Sequence, residues 1–132
     1  MMSSKTSGIL ILIARVLIGA MFLYMCYEKA TNMAGTLAFM QSAGIGSPLF
    51  GWGAALIEGL GGLMLIVGFH AEIAAVMLTL FLLAVTFLFH FDPANPMQLT
   101  QLTKNLAIVG GLLMIITNCG GEYVAYKCKC CK

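Results

Sequence analysis

The chain has 132 residues, enough for a single domain; 61% are hydrophobic, 9% are charged, and the net charge is +2. A soluble domain carries about 25% charged residues to clothe its core, and seven basic and five acidic side chains cannot do that here. With a mean hydropathy of +0.98, this excludes a soluble globular enzyme, a disordered chain and a nucleic-acid module, and leaves a polytopic membrane protein in a lipid bilayer.

A helix needs about 20 mainly apolar residues to cross a hydrocarbon core of ~30 Å. Four segments qualify, approximately 8–27, 49–69, 73–90 and 99–119, followed by a tail at 120–132. The apolar runs are unbroken and do not alternate, which argues against barrel strands. The predicted fold is therefore all-α: an integral membrane four-helix bundle forming one domain.

Span one carries Arg15 and ends Tyr24-Met25-Cys26-Tyr27, too bulky for a signal-peptide cleavage site, so it is read as retained. Next comes a stripe of small residues, Ala30, Ala34, Ala38 and Ser42, with Leu37, Phe39 and Met40 supplying bulk. This pattern predicts a short interfacial helix between spans one and two, stopped by Gly44-Ile45-Gly46-Ser47-Pro48. Span two carries Glu58. Its small residues Gly51, Ala55, Gly59 and Gly62 form a close-packing face, as does Gly111 in span four, because lipid supplies no hydrophobic drive between helices. His70-Ala71-Glu72 allows only a tight hairpin into the uncharged span three. Span four opens with Lys104 and Asn105. Four spans put both ends on one side with Lys5, Lys127, Lys129 and Lys132, against Lys29 and Lys104 opposite, which predicts cytoplasmic termini.

A charge inside the membrane normally faces the bundle interior with a partner. Arg15 lies about 10 Å from the cytoplasmic boundary at the helical rise. Glu58, entering from the other side, lies about 16 Å from that same boundary. The difference is within an arginine's reach, so an Arg15–Glu58 ion pair is predicted, either structural or as part of a proton or ligand path. Burial and Arg15 act oppositely on that carboxyl, so its protonation state stays open. At the opposite face, topology alone gathers Glu28, Lys29, His90, Gln101, Lys104 and Asn105 into a candidate polar cluster. Cationic and amide donors beside aromatic rings at the mouth of an apolar bundle would suit a quinone head group. Cys128, Cys130 and Cys131 lie in a basic tail where cytoplasmic thiols stay reduced, and they lack paired zinc-binding arms. No metal, haem or phosphate motif and no nucleophilic triad is present.

Arg15-Val-Leu-Ile-Gly19, Lys29, Gly46-Ser-Pro48, Glu58-Gly-Leu-Gly-Gly62, Gly68, and Lys104-Asn105 followed by Gly110-Gly111-Leu112 occur in this order across most of residues 9–118. In these features the chain resembles the DoxX family of small four-span membrane proteins. His70, where a basic residue is expected, and the cysteine-rich tail depart from that pattern. The resemblance implies a bundle in a bacterial cytoplasmic membrane, with Arg15, Lys29, Glu58, Lys104 and Asn105 as candidates for structure or binding. It also implies relatives that serve as subunits of a thiosulfate:quinone oxidoreductase, as anchors for redox enzymes or as assembly factors. Three readings follow: a subunit of a redox complex, quinone-linked in one form; a non-catalytic anchor or assembly subunit; and a small transporter or proton pathway using Glu58. An accessory subunit is favoured over a stand-alone enzyme, with other membrane or redox subunits, or further copies of the chain, as partners.

Overall fold

The first span meets its charged end without breaking, because Glu28 and Lys29 are good helix formers. In the computed structural model, which describes residues 4–89 and 94–126, helix α1 runs Ser4–Thr31, four residues beyond the predicted span at each end. Asn32 then starts a new helix. Its side chain accepts a bond from the Gly35 amide, capping the ten-residue α2 (Met33–Ser42). Gly44 at φ 84 releases the chain toward Pro48, which sits in the first turn of α3 (Pro48–Val67), where its missing N–H goes unneeded. Gly68, at φ 76, ends α3 in the left-handed conformation and donates its amide to Met64. Helix α4 (Ala71–Phe89) follows at once. Pro96, capped by Asn95, opens α5 (Pro96–Thr117).

Among the described residues the fold is all-helical, and α1, α3, α4 and α5 are long and apolar enough to cross a membrane. They close a ring, with α1 on α3, α3 on α4, α4 on α5 and α5 back on α1, while α2 leans on α3 and α1. Phe22, Leu65, Leu78, Leu82, Leu112 and Ile115 fill the centre. The outside is as apolar as the inside: Leu17, Leu80 and Met114 are 66%, 65% and 64% exposed. Water would penalise that surface, and lipid does not. The protein is a multi-pass membrane protein.

The helices meet where side chains vanish. A Cβ on Gly62 would lie 2.8 Å from the Gly19 carbonyl oxygen, and one on Gly19 would lie 2.7 Å from that of Gly62, so backbones touch where α1 and α3 cross. Gly59 faces Cys26, Gly51 faces Met33 and Leu37 of α2, and Gly111 faces Ile18 of α1. Ala55 is buried. These contacts fall on three helix pairs, α1–α3, α2–α3 and α1–α5.

Gly62→Ala is expected to destabilise the bundle by about 1–3 kcal/mol through overpacking. Gly110→Ala, where an added Cβ meets nothing within 4 Å, should leave stability unchanged. Unfolding of both variants in detergent checks this.

Candidate functional site

The crossing at Gly19 and Gly62 fixes the register of α1 against α3, and the register decides which charges meet. It sets Arg15 beside the C-terminal end of α3. Arg15 is 1% exposed and donates to three backbone carbonyls: Nε to Leu65 at 2.8 Å, Nη2 to Ile66 at 3.4 Å, and Nη1 to Gly120 at 2.7 Å. The carbonyls of Leu65 and Ile66 belong to the last turn of α3, where helix geometry leaves acceptors without amide partners and the helix dipole is negative.

The predicted Arg15–Glu58 pair does not form. Glu58 lies nearly two turns before Leu65, about 10 Å away along α3, and its partner is Lys29. Both Glu58 carboxylate oxygens accept from Lys29 Nζ at 2.9 Å, with the carboxylate 1% exposed and the lysine side chain 22%. The depth estimate failed because it measured both residues from assumed membrane boundaries. Helix α1 continues through Lys29 to Thr31, which carries that amine along the face of α3.

Lys29 and Glu58 line a cavity of about 580 Å³ at the end of the bundle away from the described termini. The last turn of α1, the underside of α2, the first half of α3, the end of α4 and the start of α5 enclose it. Phe39 of α2 packs on Phe89 of α4 with ring centroids 5.6 Å apart, closing one side, and Phe50 and Phe81 add apolar wall. Of the cluster read from the sequence, Glu28, Lys29, Gln101, Lys104 and Asn105 all line this space. His90 lies outside the described residues. Glu28 is exposed and accepts from the Tyr24 hydroxyl at 3.2 Å. Lys104 is exposed and makes no ion pair or hydrogen bond among the described residues.

Asn105 is held differently. It is 4% exposed, and its Nδ2 donates to Thr86 Oγ1 at 2.9 Å, while the Thr86 hydroxyl donates to Leu82 O at 2.6 Å. Sequence reading passed over Thr86. The available signal was two hydroxyls, Thr79 and Thr86, in an otherwise apolar span beside a helix that carries an amide. Among the described residues no three His, Cys, Asp or Glu side chains form a metal cluster. Cys26 is free and Cys119 is disulfide-bonded; Cys128, Cys130 and Cys131 lie outside the described residues.

The family model for DoxX matches residues 10–91. The chain belongs to the DoxX family. Within DoxX, the chain is 32% identical over 122 residues to the Inner membrane protein YqjF of Escherichia coli (strain K12), covering 90% of this chain and 91% of the relative. No solved structure matches. The DoxX match spans α1 through α4 and takes in Arg15, Lys29 and Glu58, whereas Lys104 and Asn105 lie beyond it.

A double-mutant cycle in detergent separates the two buried charges. Lys29→Met and Glu58→Gln are expected to couple by about 0.5–3 kcal/mol, as contacting residues do. Arg15→Met and Glu58→Gln should add to within about 0.5 kcal/mol.

Proposed function

We propose that this DoxX protein is a membrane subunit of a redox complex, and that its cavity takes the ring of a quinone-class molecule, oxidised or reduced. The observation that carries this reading is the make-up of the cavity. A ring with an apolar tail needs apolar walls with few polar groups to orient it. Phe39, Phe50 and Phe81 supply wall, while Lys104 and Asn105 supply polar contacts at the start of α5. The volume falls within the usual range for small-molecule sites. Electron transfer itself is assigned to a partner subunit, and this chain binds and positions. The relative's inner-membrane name supports the same membrane for this chain.

Lys104→Ala is expected to weaken binding of a redox-inert quinone analogue about tenfold, equivalent to 1.4 kcal/mol, while the bundle stays folded. Titration of the purified full chain in mild detergent checks it. Unchanged affinity in a folded variant overturns the site. Absence of any binding by the wild type turns the protein into an anchor or assembly subunit instead.

We further propose that both termini are cytoplasmic, on the lysine bias of four against two. The disulfide at Cys119 argues the other way, because disulfides persist in the periplasm and not in the cytosol. Green fluorescent protein fused after Lys132 is expected to fluoresce, and alkaline phosphatase fused there to be inactive. The reverse pair of results reverses the orientation.

A further inference from the structure

The polar atoms of the cavity that remain unpaired state what a ligand there must offer. Glu58 is nearly sealed from solvent, and among the described residues its carboxylate receives only the two contacts from Lys29. A carboxylate has about four lone-pair sites and no donor, so Glu58, one of the residues lining the cavity, keeps acceptor capacity beyond the Lys29 amine.

Asn105 adds a second acceptor. Its amide orientation is dictated by Thr86: that hydroxyl spends its only hydrogen on Leu82 O, so toward Asn105 it can only accept. The side-chain nitrogen must therefore face Thr86. This leaves Oδ1 of a nearly buried side chain accepting no hydrogen bond among the described residues. Such an oxygen, shut from water by a ligand, is penalised unless the ligand donates to it.

Donors remain as well. Lys29 keeps one N–H beyond its two contacts with Glu58, Asn105 keeps one amide hydrogen, and Lys104 is exposed. A carbonyl can only accept, so it could use these donors but would leave Asn105 Oδ1 unpaired and the spare lone pairs of Glu58 unused. A hydroxyl both donates and accepts, and so satisfies both sets.

We propose that the cavity selects a head group bearing phenolic hydroxyls, the hydroquinone form, over the quinone that carries carbonyls in their place, because Asn105 Oδ1 accepts no hydrogen bond among the described residues and Glu58 keeps lone pairs beyond its two contacts with Lys29. This rests on the quinone-class reading above and assigns it a redox state. The chain thereby holds the reduced member of the pair, and Glu58 and Asn105 are its specificity determinants.

The test uses the full chain in detergent and one alkyl hydroquinone, held reduced without oxygen, against the quinone obtained by oxidising it. Tail and ring size are then matched. Calorimetric titration is expected to show the hydroquinone binding roughly tenfold to a hundredfold tighter, the range for one added hydrogen bond to a charged acceptor. Glu58→Gln, close in shape but uncharged and with one oxygen replaced by a donor, should narrow that gap; Asn105→Ala gives a second variant should Glu58→Gln not fold. Equal or tighter binding of the quinone by the wild type overturns the selection while leaving quinone-class binding standing. Binding of neither form overturns both.

Discussion

The contact on which the rest depends is the bare approach of two backbones at Gly19 and Gly62. Neither residue brings a side chain to the crossing, and each glycine sits against the other's carbonyl oxygen. In lipid, where apolar side chains gain nothing by leaving their surroundings, such close packing is a main source of attraction between helices. It also leaves little freedom to slide, because a shift along either helix brings side chains into the gap. The antiparallel register of α1 and α3 follows, and with it the partners of every buried charge on the two helices.

Two of those charges are accommodated by unrelated means. Arg15 finds no carboxylate; it gathers the loose carbonyls of a helix end and a turn, whose partial negative charge suits a guanidinium with several donors. Glu58 takes the amine of Lys29, whose flexible stem leads in from the bundle end. The first arrangement spends Nε, Nη1 and Nη2 on backbone carbonyls and ties α1 to the end of α3 and the turn after α5. The second sits beside a cavity that Glu58 and Lys29 both line. Both charges are 1% exposed, yet one is held by backbone carbonyls and the other by a side-chain amine.

Much of the architecture could be read from residue order. Unbroken apolar runs located the spans, the Gly44–Pro48 run and Gly68 marked two of the breaks, and the small residues of α3 indicated where neighbours come close. The gathering of Lys29, Gln101, Lys104 and Asn105 at one end required only topology. Register was not legible, because it depends on a glycine pair on two helices whose mutual fit appears only in three dimensions. Distances from a presumed membrane boundary were a poor substitute and paired Arg15 with the wrong group. Thr86 was missed for a related reason: α4 carries two threonines, Thr79 and Thr86, and residue order does not say which of them meets an amide across the interface. The hydrogen-bond polarity of the cavity depends on that one contact.

The arginine clamp bears on how the protein is made. Arg15 belongs to the first span to leave the ribosome, yet two of its acceptors end the second span and the third, Gly120, follows the last. Synthesis runs at about 5–20 residues per second, so for several seconds a guanidinium sits in or near the bilayer with its final partners still unwritten. An unpaired arginine there is among the least tolerated of side chains. The nascent chain therefore carries its own signal of incompleteness, one that quality-control machinery could read and that falls silent only when the segment after the last span folds back and closes the clamp.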